Sequence, residues 1–139
     1  MSVYMCLNCY EIYNKEDIKI NDFCDYVGCP KTSCVGQLIE IDELMIPTIK
    51  ILNQKGYITK FCCSGHYYGQ HSNGYIMFEE GVDIPKLPSG WTKETHGNYI
   101  TIRSSRKYRK PSLRDFKKIC DNAKMLVDWA IQLPYNNDY

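Results

Sequence analysis

The clearest patterning of apolar and polar positions begins at Gly36. Leu38, Ile39 and Ile41, bounded by Gly36 and Asp42, predict a strand over 36–41. It leads directly into a helix over 43–55. Asp42 is placed as its N-cap, Pro47 falls in a first turn that tolerates proline, Met45, Ile49 and Leu52 recur at helical spacing, and Gly56 is placed to end it. Residues 57–63 are rich in β-branched and aromatic side chains and predict a strand that ends on the small loop Ser64, Gly65 and His66. Further strands are predicted over 75–78, 90–95 and 99–103, the last two joined by a hairpin turn at His96, Gly97 and Asn98. Ser112 to Asp115 has capping-box form, with Asp in place of Glu. Leu113, Phe116, Cys120, Ala123, Val127 and Ala130 then mark one face of a helix running up to Pro134. Trp91 and Trp129 are read as core residues.

This order predicts an α+β fold: an N-terminal zinc ribbon over 1–40, followed over 41–135 by a ligand-binding domain with a small, mainly antiparallel sheet and two helices on one face. A chain of 139 residues has room for one ordinary domain, or a small one with a metal-held appendage, and not for two enzymatic domains. The N-terminus lacks a basic segment followed by an apolar stretch, and no window approaches the roughly 20 apolar residues that cross a bilayer. The expectation is a soluble, unprocessed, cytoplasmic protein with no membrane partner. Disorder is expected only over 136–139.

Five of the eight cysteines lie in the N-terminal third and change its picture, since the segment 11–26 among them lacks the apolar residues to hold itself. In a reducing compartment they point to metal or reactive thiols before a disulfide framework. Cys6 and Cys9 have the C-x-x-C spacing that brings two thiolates to one tetrahedral zinc from a tight knuckle. Cys29 and Cys34 can supply the second pair, with Cys24 as a competing ligand. Four thiolates leave no open coordination position, so such a zinc is structural.

Candidate ligand chemistry lies elsewhere. A strand ending on Cys63, Ser64, Gly65 and His66 presents backbone N–H groups together with an imidazole and can hold an anion, while Tyr67 and Tyr68 can stack on a planar base. A tight turn with a half-buried cysteine pair accounts for the same residues. Cys62, Cys63, His66 and His71 as a second metal site suffer from poor spacing, and a Cys63 nucleophile assisted by His66 lacks a third residue to orient the histidine.

Charge adds direction. Residues 1–50 carry 4 Lys+Arg against 8 Asp+Glu, whereas residues 101–139 carry 9 against 4, with Arg103, Arg106, Lys107, Arg109 and Lys110 in one run before the last helix. A phosphate suits that position, since helix N-termini attract anions, although a solvated basic linker is the commoner fate of such runs. Nucleic acid is the other polyanion it would suit, but the rest of the chain lacks a matching basic stripe. High Ile, Lys, Asn and Tyr with two Ala indicate an AT-rich coding genome, as in a low-GC bacterium or its phage.

Across Cys29 to Met45, and across Lys55, Gly56, Tyr57, Thr59, Lys60, Phe61, Cys62, Cys63, Ser64, Gly65 and His66, the chain resembles a group of Firmicute and phage zinc-ribbon proteins, a resemblance that implies no activity. Cys63, Ser64 and Gly65 after a strand are also similar to the serine–cysteine–serine–glycine loop of the wybutosine-synthesis methyltransferase-like family. That likeness implies a nucleoside-type ligand, with His66 standing where the family has arginine. The combined expectation is a zinc-braced binding protein for a nucleotide-like anionic small molecule, one that in a phage would sequester a host signalling nucleotide. A methyltransferase-like or phosphodiesterase-type enzyme using the Cys63–His66 loop, and a zinc-ribbon docking module for nucleic acid or protein, are the alternatives. Oligomeric state is not legible.

Overall fold

The computed structural model describes residues 2–18, 28–31, 33–63, 74–105 and 113–136. Among these the strands are β1 (Ser2–Cys6), β2 (Ile12–Tyr13), β3 (Leu38–Asp42), β4 (Thr59–Cys63), β5 (Tyr75–Phe78), β6 (Trp91–His96) and β7 (Tyr99–Ser104), and the α-helices are α1 (Ile46–Gln54) and α2 (Leu113–Gln132). They form an α+β fold with two antiparallel sheets, ordered β2-β1-β3 and β4-β5-β7-β6.

The predicted helix over 43–55 divides in two. Asp42 accepts a hydrogen bond from Leu44 N–H at 3.1 Å and caps a short 3-10 turn, Glu43–Met45, before α1 begins with Pro47 in its first turn. At the other end Gly56 takes φ +93, and Gly56 N–H and Tyr57 N–H donate back to Asn53 O (3.1 Å) and Leu52 O (2.9 Å), the paired bonds of a Schellman motif. Those bonds hold Tyr57 to the helix end, so β4 starts two residues later than the patterning suggests.

One cluster of buried side chains joins both helices to both sheets. Val3 and Met5 of β1 and Ile41 of β3 pack with Met45, Ile49 and Leu52, with Ile76, Phe78, Trp91 and Ile102, and with Leu126, Trp129, Ala130 and Leu133. β1 was absent from the sequence reading, yet it pairs with β3 over its whole length, from Ser2 opposite Asp42 to Cys6 opposite Leu38. Over residues 117–132 the buried stripe of α2 is Ile119, Asn122, Ala123, Leu126, Trp129 and Ala130, and Leu133 continues it just past the helix end; Cys120 and Val127, expected on that face, are half-buried at its margin. Two polar anchors fix this rotation. Trp129 Nε1 donates to Lys86 O at 2.7 Å, and Trp91 Nε1 donates to Asn122 Oδ1 at 3.3 Å.

Lys55 acts as a remote cap for α2, whose last turn carries no basic residue of its own. Its ammonium donates to the carbonyl oxygens of Ala130, Ile131 and Leu133. Tyr57 Oη donates to Pro134 O at 2.6 Å and Asn136 N–H donates to Lys55 O at 2.7 Å, closing the same seam. Among the described residues no helix is long and apolar enough to cross a membrane.

Candidate functional site

The first sheet delivers the candidate metal centre. β1 ends at Cys6, and the chain folds back at once, with Tyr10 N–H donating to Cys6 O (2.9 Å) and Cys6 N–H to Glu11 O (3.0 Å). This reversal puts Tyr10 at φ +63, a left-handed conformation that costs a bulky residue about 1 kcal/mol or more and persists only where packing holds it. Tyr10 is held against the core, with Lys50 Nζ 5.6 Å from its ring centre. Facing this knuckle, Cys29 N–H donates to Gly36 O (2.9 Å) and Cys34 N–H to Lys31 O (3.1 Å), with Ser33 at φ +71 between them.

The two turns bring Cys6, Cys9, Cys29 and Cys34 together with all four sulfurs within 4.8 Å of one another, an arrangement that can hold a metal ion. Cys6 Sγ lies 3.7 Å from Cys34 Sγ, and Cys9 Sγ lies 3.8 Å from Cys29 Sγ. A regular tetrahedron around a metal with bonds of about 2.3 Å to sulfur has edges of about 3.8 Å, so the donor set fits without rearrangement of these pairs. The surroundings donate to sulfur. Asn8 N–H reaches Cys6 Sγ at 3.3 Å, Asn8 Nδ2 reaches Cys34 Sγ at 3.5 Å, and Tyr13 Oη lies 3.5 Å from Cys29 Sγ.

These contacts set the acidities. The Asn8 amide and Gly36 N–H hold the Cys34 thiol down to about 6. At Cys9 the backbone bond from Glu11 favours the thiolate, but desolvation and the neighbouring sulfurs of Cys6, Cys29 and Cys34 outweigh it and push the thiol up to about 11. A coordinated cation overrides such differences by deprotonating its thiols outright. Gly36 is required by space: a Cβ there would land 2.6 Å from Asn8 Cβ and inside contact distance of Cys6 Sγ.

The other predicted site residues divide between described and undescribed segments. Ser64, Gly65, His66, Tyr67, Tyr68, His71, Arg106, Lys107, Arg109 and the competing Cys24 lie outside the described residues, as does the capping box at Ser112. Cys63 and Arg103 are described. Both pair with Tyr75, the first residue of β5, Cys63 from one side and Arg103 from the other. The Cα atoms of Cys63 and Arg103 are therefore about two strand spacings apart, roughly 10 Å. Cys63 is buried, and the Arg103 guanidinium lies 5.3 Å from the Tyr75 ring centre with its Nε donating to Glu94 Oε1 at 3.1 Å. Cys62 packs against the core, and burial pushes its thiol up to about 12, which leaves it a poor nucleophile.

Tyr75, Glu94, Asn8 and Tyr13 were missed as site residues by sequence reasoning. For Asn8 a signal existed, since residues inside a C-x-x-C knuckle regularly donate to its sulfurs; the other three depend on strand register. Compared with known proteins, the chain matches no protein-family model, no curated protein and no solved structure.

Proposed function

We propose that this chain is a zinc-braced binding protein for a nucleotide-like anionic small molecule. One observation carries the reading. The segment 64–73, with its Ser-Gly-His sequence, continues from the end of β4, and the basic run continues from the end of β7. Those ends flank the same residue, Tyr75. Anion-binding sequence and an Arg–Tyr pair suited to a planar base thus leave the second sheet at one place.

Zinc is the ion that four cysteines at these distances suit best, and with no ligand position left over it braces the fold instead of taking part in chemistry. In a phage, a domain of this kind would sequester a host signalling nucleotide, an anti-defence role. The test is isothermal titration of metal-loaded protein against a panel of cyclic and ADP-ribose-derived nucleotides, with Arg103→Ala and His66→Ala alongside. Saturable binding weakened by both substitutions, with the ligand recovered unchanged, supports the proposal. An absence of binding to the whole panel overturns it, and turnover lost in His66→Ala would make the protein an enzyme.

A further inference from the structure

The outer face of the second sheet, away from the helices, carries aromatic rings with cations beside them, and a β-bulge puts one of those rings there. Thr59 pairs with Phe78 whereas Phe61 pairs with Met77, so β4 spends two residues where β5 spends one, and Lys60 is the extra residue. Without the bulge Phe61 would share the inward face of Thr59, which is 1% exposed and hydrogen-bonded to Asn53 of α1. With it, Phe61 turns outward and is 55% exposed. Lys60 Nζ then lies 5.9 Å from the Phe61 ring centre and 4.9 Å from the Tyr99 ring centre. Two residues along β5 from Met77, the partner of Phe61, Tyr75 has the Arg103 guanidinium 5.3 Å from its ring centre. The inward residues Ile76, Phe78 and Ile102 are fully buried, whereas on the outer face Phe61 is exposed, Tyr75, Met77, Tyr99 and Arg103 are half-buried, and Cys63 and Thr101 are buried.

We propose that this outer face is a stacking platform for bases and that the ligand is a single-stranded oligonucleotide, running from Tyr75 and Arg103 along the sheet to Phe61 and Tyr99. This deepens the nucleotide-binding reading and rests on it for the position of the first phosphate. Each cation lies over a ring, so a base that stacks there displaces it from the π-face towards the backbone phosphate, which the freed ammonium or guanidinium then meets. An apolar peptide would have to desolvate those cations. From Arg103 to Tyr99 the strand advances four residues, about 13 Å, farther than a mononucleotide reaches from phosphate to base. Glu94 of this face pairs with Arg103, so a phosphate at the guanidinium competes with that carboxylate.

The test is fluorescence anisotropy of the full, metal-loaded chain with labelled oligouridine and oligothymidine, from mononucleotide to octanucleotide, at low and high salt. Phe61→Ala, Lys60→Ala and Arg103→Ala are compared, each checked for an unchanged circular-dichroism spectrum. Affinity is expected to rise with length and fall with salt. Phe61→Ala should weaken a tetranucleotide about tenfold while leaving a mononucleotide unaffected, and Arg103→Ala should weaken both. Equal affinity for mono- and tetranucleotide, unchanged in Phe61→Ala, overturns the platform and leaves the nucleotide site standing. Tetranucleotide binding that depends on Phe61 but not on Arg103 upholds the platform and overturns the site at Arg103. No binding at any length overturns both. A dimer that Phe61→Ala converts to monomer, without effect on nucleotides, assigns the face to a second copy and overturns the platform.

Discussion

A methyl group added at Gly36 would have to share space with Asn8 Cβ, 2.6 Å away, and with Cys6 Sγ, nearer still. Carbon contacts settle at about 3.5–4.0 Å, so one side must retreat by about 1 Å. Asn8 is held in place, because its backbone N–H donates to Cys6 Sγ and its side-chain amide to Cys34 Sγ. The displacement therefore falls on the sulfur geometry, where the Cys6–Cys34 distance of 3.7 Å already matches a tetrahedral edge. Structural zinc binds small cysteine-rich peptides with an apparent free energy of about 10–16 kcal/mol, so one ligand of four accounts for about 3 kcal/mol, roughly a hundredfold in affinity. Gly36→Ala should lose about that much in competition against a chromogenic chelator. Val35→Ala, at a side chain 88% exposed, is the control and should lose nothing. A Gly36→Ala protein that keeps one metal per chain at wild-type affinity would refute the reasoning.

Lys55→Met removes the donor to three carbonyls at the end of α2 and should cost about 2 kcal/mol, lowering Tm by roughly 5–10 °C in a thermal melt; an unchanged Tm would show that water replaces the ammonium without loss. Thr48 is fully buried and its hydroxyl has no partner among the described residues, so the near-isosteric Thr48→Val should raise stability by about 1 kcal/mol in urea denaturation. With its thiol pushed up to about 12, Cys62 holds about one part in ten thousand as thiolate at pH 8 and should resist iodoacetamide in the native protein. Peptide mapping should find it alkylated readily only after unfolding, and rapid native alkylation would contradict its packing against the core.

Local periodicity was a good guide where neighbours in sequence determine structure. Leu38 to Ile41, Ile49 and Leu52, and the run from Tyr99 to Arg103 each declare their element within a few residues, and the knuckle spacing singled out Cys6, Cys9, Cys29 and Cys34. What was hidden depends on distant partners. Val3 and Met5 lie in too short an apolar alternation to declare a strand until β3 pairs with them. Lys55 looks like a solvated lysine at the end of a helix until α2 ends above it. The bulge at Lys60 shows only in the register against β5, and with it goes the exposure of Phe61. In the stretch from Lys55 to His66 the first part is accordingly structural: Lys55, Gly56, Tyr57 and Thr59 tie α1, α2 and β4 together.

The seam between Lys55 and the end of α2 also bears on the order in which the chain is made. All four cysteines of the metal centre have been synthesised by residue 34, and β3, which secures β1 and Val3 in place, is complete by residue 42. The carbonyls that receive Lys55, beginning at Ala130, and the backbone N–H of Asn136 that returns to it emerge some 75–81 residues after Lys55. A nascent chain can therefore assemble its ion-binding knuckles while α2 is still within the ribosome. Its hydrophobic core, lacking Leu126, Trp129, Ala130 and Leu133, must wait for α2 before it can close.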